Sequence, residues 1–212
     1  MGIRVGPHEV ELLAERAMYW PAAGTLVVAD LHWGKEQTFH AYGIPVPLGA
    51  LEDDLARLDA ALGRTGAGRL LVLGDLVHGA LATSVIDAVA RWRERTRLPM
   101  VLVRGNHDRH VPTLPPAWDI ADHAGVLRED GYAFAHAPEP VSGAYTWAGH
   151  LHPMFRLRGR GDTLRLPCFH IGLEVGVLPA FGSFTGGVLA RCVRGDRVFV
   201  VAGDALVSVP VG

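Results

Sequence analysis

Apolar residues along the chain gather into short runs at 26–29, 70–73, 101–103, 132–135 and 145–148, each bounded by glycine or polar positions. Their length and their branched and aromatic content predict buried strands, because a helix needs a longer apolar stripe. Two stretches follow helical spacing instead. In 48–62 apolar residues recur near helical intervals, and Glu52, Asp53 and Asp54 stand towards the start, where the helix dipole favours carboxylates. The second runs from a cap at Thr83 or Ser84 to about residue 97, with Val85, Ile86, Val89 and Trp92 on one face. Arg91, Arg93, Arg95 and Arg97 at its end read as a solvated charged face.

The first half therefore alternates strand and helix, the pattern of parallel β-α-β units. From Val126 onward, strand-like runs succeed one another across Gly and Pro turns with little helix, and Arg160-Gly161-Asp162 reads as a hairpin turn. The expected architecture is one α/β domain of two packed sheets with helices outside.

Composition narrows the class. At 212 residues, 49% hydrophobic and 20% charged, the chain can bury a substantial core and is not disordered. A formal charge of −2 excludes a strongly basic protein, so any nucleic-acid contact must come from a local patch. Cys168 and Cys192 sit in apolar stretches and predict buried, reduced thiols rather than a disulfide framework. Charged residues interrupt the N-terminal stretch, and the apolar 198–211 segment is broken by Asp204 and too short for a bilayer. A soluble, cytoplasmic protein with no membrane association is expected.

The ends of the five runs carry the chemistry. They close in Asp30-Leu31-His32, Gly74-Asp75, Gly105-Asn106-His107-Asp108, His136 and Gly149-His150-Leu151-His152. Each places a metal-capable side chain at the carboxyl end of a strand, where open α/β sheets build their sites. If the backbone stays extended, residues i and i+2 share a side, so Asp30 and His32 can face one ion, as can His150 and His152. Taken singly, each motif has a plain structural explanation: a Gly-Asp turn, a helix cap at Asn106, a structural His136. Together and in order they point to a site of carboxylate, imidazole and amide donors, suited to Mn, Fe or Zn.

This ordered set resembles the calcineurin-like metallophosphoesterases over Asp30 to His152. A narrower likeness runs nearly end to end. Ala17-Met18-Tyr19-Trp20-Pro21, Asp30-Leu31-His32-Trp33-Gly34-Lys35, Leu166-Pro167-Cys168-Phe169 and Leu178-Pro179-Ala180-Phe181-Gly182 resemble the bacterial DNA ligase-associated metallophosphoesterases. The resemblance implies a four-layer αββα sandwich and a phosphodiesterase or endonuclease using two divalent ions, Mn first, with Fe or Zn as substitutes. It implies that Asp30, His32 and His152 hold one ion, that Asn106, His136 and His150 hold the other, and that Asp75 bridges them. His107 would protonate the leaving alcohol, and Asp108 would orient it. His136 follows Ala135 where many relatives have glycine. The implied partners are DNA and a repair ligase or helicase; a nucleotide or other small phosphate compound is the alternative substrate, and a non-catalytic scaffold is a third reading.

Substrate contacts are sought among the remaining polar residues near the motifs. Lys35 is the chain's single lysine, His78 follows the Gly-Asp motif, and Arg104 and Arg109 flank Asn106-His107-Asp108, with Arg109 the better placed for phosphate. Arg156 and Arg158 alternate just beyond His152 and can share one strand face as a backbone-binding patch. His8, His40, His110, His123 and His170 lack a motif context and are assigned structural roles.

Overall fold

The computed structural model describes residues 1–158 and 162–211. Arg160 and Gly161 of the expected hairpin turn lie outside the described residues. The first sheet holds β1 (Gly2–Val5), β2 (His8–Leu13), β3 (Ala17–Trp20), β4 (Thr25–Val28), β5 (Arg69–Leu73), β6 (Met100–Val103) and β7 (Ile120–His123) in that spatial order. Neighbours are antiparallel from β1 to β4 and parallel from β4 to β7. The helices α1 (Lys35–Ala41), α2 (Ala50–Thr65) and α3 (Thr83–Thr96) fill the crossovers between β4, β5 and β6.

The second sheet holds β8 (Leu127–Glu129), β9 (Tyr132–Phe134), β10 (Tyr145–Ala148), β11 (Pro153–Arg158), β12 (Thr163–Ile171), β13 (Val175–Val177) and β14 (Val188–Leu189). Their spatial order is β14-β11-β12-β13-β10-β9-β8. β15 (Arg197–Ala202) pairs the far half of β12 and carries β16 (Ala205–Val209) on its other edge.

Alternation along the central strands divides the core in two. Leu26, Val28, Leu70, Val72 and Leu102 point to the helices, where Leu55, Leu58, Val85, Val89 and Trp92 meet them. Val27, Leu71, Leu73 and Val103 point the other way and pack against Phe134, Trp147, Phe169 and Ile171 of the second sheet. Strands buried on both faces read as continuous apolar runs, which is why the sequence displays them so plainly. Among the described residues the outer face of the second sheet carries a small apolar cluster, Cys168, Val198 and Val200, against which Phe155, Ala190 and Cys192 pack, among others. The helical cover among the described residues thus belongs to the first half of the chain.

Two local expectations change. α3 starts after Ala82 with no side-chain cap, so neither Thr83 nor Ser84 plays that part. Arg93 is not on a solvated face: it is buried and donates to the carbonyls of Trp118 (2.6 Å), Leu98 (2.8 Å) and Asp119 (3.0 Å). Three carbonyl acceptors let a buried guanidinium keep its hydrogen bonds, and they pin the chain entering β7 to α3.

Candidate metal centre

The registers Val28↔Val72 and Val72↔Leu102 bring the carboxyl ends of β4, β5 and β6 level, so Asp30, Asp75 and Asn106 leave the first sheet side by side. Trp147↔Phe134 does the same for β10 and β9, delivering His150, His152 and His136 from the second sheet. Main-chain bonds tie these ends together: Asp30 N–H donates to Gly74 O (3.1 Å) within the first sheet, and Phe181 N–H, beyond β13 of the second, donates to Ala29 O (2.8 Å). All seven sequence-predicted ligands meet at this rim.

The backbone at five of these ligands is not extended. Asp30 (φ 56°), His32 (φ 51°), Asp75 (φ 48°), His150 (φ 69°) and His152 (φ 46°) all lie in the left-handed region. Aspartate and histidine tolerate it better than branched residues, yet each still pays a steric cost. Those turns separate His150 from His152, which join different donor groups: Asp30 with His32 and His152, and Asp75 with His136 and His150. Glycine makes room for the crowding. A Cβ on Gly105 would overlap Asp75 Oδ1, and one on Gly149 would overlap Asp30 Oδ2.

The donor chemistry fits cations. His136 Nδ1 faces the Leu73 carbonyl at 3.2 Å; a carbonyl only accepts, so Nδ1 carries the proton and Nε2 presents a lone pair. That lone pair meets Asn106 Oδ1 at 2.9 Å, His150 Nδ1 at 2.9 Å and Asp75 Oδ1 at 3.5 Å. His152 repeats the arrangement. Its Nδ1 faces Gly186 O (2.9 Å), and its Nε2 lies 3.4 Å from both His32 Nε2 and Asp30 Oδ1. Asp30 Oδ1 is buried and has no hydrogen-bond partner. Acceptors converging with too few protons to share are stabilised by a positive ion. Burial, reinforced by Lys35 and neighbouring imidazoles, drives the His32 pKa down to about 2, leaving the ring neutral and able to ligate.

Asp75 links the two groups. Its Oδ2 lies 3.8 Å from His32 Nε2 and its Oδ1 3.5 Å from His136 Nε2, so one buried carboxylate faces both. The Asn106 amide makes no capping bond to the 3₁₀ turn His107–His110 and stays directed at His136. Asn106 and His150 are exposed, which leaves the centre open on one side.

Beside the donors stands a second imidazole group. His78 Nδ1 contacts His32 Nδ1 at 3.2 Å, and its ring stacks on His107 with centroids 4.9 Å apart. Burial, then Lys35, lowers the His78 pKa to about 4. The His107 backbone N–H donates to Asp75 Oδ1 (2.9 Å), fixing that residue to the bridge. Asp108 does not orient His107. Its buried carboxylate accepts from Val77 N–H (3.1 Å) and Gly105 N–H (2.8 Å), tying the turn after β5 to the turn after β6.

The predicted substrate contacts scatter. Lys35 opens α1 half-buried, with its ammonium 5.9 Å from the Phe39 ring centroid. Arg109 is exposed on the 3₁₀ turn. Arg104 is committed elsewhere, pairing with Asp122 and donating to Asp108 O and Val111 O, both at 2.9 Å. Arg156 and Arg158 lie on β11, which starts at Pro153 and leads away from the donors; Arg156 stands opposite Arg165 on β12. Sequence reasoning missed a cavity of about 240 Å³ beside His152, lined by Arg16, Met154, Arg165, Ser183 and Thr185. It also missed the turn at Gly182, whose N–H bonds Asp30 O (3.1 Å) and where a Cβ would overlap Leu31 O. The Pro179-Ala180-Phe181-Gly182 run was the available signal.

Comparison with known proteins agrees with this geometry. The family model for calcineurin-like phosphoesterases matches residues 24–204. Among solved structures, Pseudomonas putida nuclease MPE is 37% identical, with 99% of each chain covered and a TM-score of 0.87. Yfce, a phosphoesterase from E. coli, is 19% identical over 86% of this chain and 90% of its own, with a TM-score of 0.43. The Aquifex aeolicus protein AQ665, of unknown function, is 20% identical over 65% and 81%, with a TM-score of 0.41. No match is found among the curated proteins. Among the described residues no helix is long and apolar enough to cross a membrane. With the family matched across most of its length, the chain belongs to the calcineurin-like phosphoesterases and is a metal-dependent phosphoester hydrolase.

Proposed function

We propose that this hydrolase is a phosphodiesterase with endonuclease activity on DNA, working in repair with two divalent ions, Mn the preferred one. The observation that carries the two-ion reading is the Asp75 carboxylate, which faces both donor groups. Asp30, His32 and His152 would hold one ion and Asn106, His136 and His150 the other. When bound, the ions polarise the phosphoryl group and activate water near neutral pH.

The protein's own groups orient and protonate. His107, set on the Asp75 bridge by its backbone and flanked by His78, supplies a proton to the departing oxygen. Asp108 is a positioning residue that keeps the Gly105 turn in place. Lys35, whose charge bears on both His32 and His78, would meet a non-bridging phosphate oxygen. The DNA reading draws on the similarity to a nuclease along the whole chain. Arg109, Arg156 and Arg158 would contact backbone phosphates, so cleavage should tolerate changes in base sequence and weaken with salt. With a formal charge of −2, the chain's own affinity is modest, which favours delivery of substrate by a ligase or helicase partner.

The test is a panel of nicked, single-stranded and flapped DNA beside cyclic nucleotides and an activated small diester, each assayed in Mn. An Arg156→Ala/Arg158→Ala double variant should lose DNA cleavage selectively while keeping the small diester. Turnover of small diesters with no cleavage of any DNA overturns the DNA reading in favour of a small phosphate substrate, which the low charge also suits. Absence of bound metal after reconstitution, with hydrolysis unchanged in chelator, overturns the two-ion reading.

A further inference from the structure

A second group of metal-capable side chains lies on the outer face of the second sheet. β12 alternates there: Phe169 and Ile171 point into the core between the sheets, whereas Cys168 belongs to the outer cluster, which puts His170 on the outer side as well. The turn leading into β15 brings Cys192 and Asp196 over the same spot. One donor atom each from His170, Cys192 and Asp196 falls within 4.8 Å of the other two.

We propose that His170, Cys192 and Asp196 form a zinc site distinct from the phosphoesterase centre. His170 Nε2 stands 2.7 Å from Asp196 Oδ2, with these side chains only 19% and 8% exposed. Asp196 Oδ2 also accepts from Val193 N–H (2.9 Å), and Asp196 N–H returns to Val193 O (3.1 Å). One donor therefore comes from a paired strand and two from a closed turn, so little chain entropy is lost on binding. Zinc bonds of about 2.0–2.3 Å set tetrahedral donors roughly 3.5 Å apart. The imidazole and carboxylate need to part by under about an ångström and the thiol to draw in.

Ligand type separates the two sites. The phosphoesterase centre has oxygen and imidazole donors and no sulfur, whereas a thiolate selects zinc over manganese. A water completes the coordination, and a cavity of about 780 Å³ lined by His170, Leu151, Pro153, Arg165, Val177 and Leu189 provides the path inward. Bound zinc would clip the 190–196 turn to β12, the strand paired with Arg156 and Arg158 on β11.

Cobalt(II) tests this in the full-length protein because only a thiolate ligand gives a near-ultraviolet sulfur-to-cobalt charge-transfer band. Metal-stripped wild type titrated with Co²⁺ should develop the band, and Zn²⁺ should erase it. Cys192→Ser should abolish it, and His170→Ala should weaken cobalt binding at least tenfold, while both variants keep wild-type circular dichroism and Mn-dependent hydrolysis of a small diester. No band in wild type at saturating cobalt, or an equal band in Cys192→Ser, overturns the proposal. The wild-type spectrum decides even if a variant folds poorly, and its failure would leave the His170–Asp196 pair as a hydrogen bond closing the turn.

Discussion

The two sheets contribute unlike halves to one centre. The first, backed by α2 and α3, supplies both carboxylates, the amide and His32, and its Asp30 and Asp75 are 0% and 2% exposed. The second, with no helical cover among the described residues, supplies imidazoles only: His136, His150 and His152. The carboxylates thus sit buried on the helix-backed sheet, whereas Asn106 and His150 are exposed at the open side of the centre. The contrast has a physical basis. Each carboxylate takes a main-chain donor, Asp75 Oδ1 from His107 N–H (2.9 Å) after β6 and Asp30 Oδ2 from His150 N–H (2.8 Å) after β10, whereas His136 and His152 are each oriented by one carbonyl facing Nδ1.

The sharpest way to break this comparison is to delete a donor from each side. Asp75→Ala removes the carboxylate facing both groups and should abolish hydrolysis of every ester, a loss beyond that of any single imidazole. Measured against His150→Ala in Mn, an equal residual activity would dissolve the distinction between the sheets. Next in size is His107→Ala, expected to slow esters with poor leaving groups by ~10²–10⁴-fold and nitrophenyl esters far less, since a nitrophenolate departs without a proton. Equal slowing of both would move His107 from proton transfer to support of the donors.

Smaller effects probe what lies behind the donors. His78→Ala removes the partner of His32 Nδ1 and should weaken metal binding by ~10–100-fold in a competition assay with a fluorescent chelator. Unchanged affinity would show that burial alone fixes the His32 ring. Asp108→Ala strips the acceptor from two buried N–H groups and should cost about 1–3 kcal/mol in denaturant unfolding of the metal-free protein. A cost no greater than an ordinary surface change would mean that water replaces the carboxylate.

Much of this was legible in the sequence, and the reason is specific. Strands β4, β5 and β6 are buried on both faces, so their apolar runs stand out, and the donors follow where the runs stop. The hairpins β1 to β3 were not read because their apolar residues alternate with Arg4, Glu9 and Glu11, an edge pattern that short-run counting passes over. α1 was missed for a similar reason: of its seven residues only Glu36 is buried, so it presents no apolar stripe. At the site, residue types announced the chemistry but not the backbone. Asp30 and His32 are two apart in any conformation; that both are left-handed is decided by the turns packing around Gly105, Gly149 and Gly182. Asp108 shows the same limit, because adjacency to His107 in sequence says nothing about which way a carboxylate faces.

Those five left-handed side chains have a consequence for how such a protein persists. Each is disfavoured by roughly 1–2 kcal/mol, and together they are comparable with the whole 5–15 kcal/mol that usually separates a folded domain from its unfolded chain. An ion that binds only the folded form adds stability that grows with the logarithm of its free concentration above the dissociation constant. Supply of the metal therefore governs how long each molecule survives proteolysis as well as how fast it works, and a cell starved of the ion would lose the enzyme along with its activity.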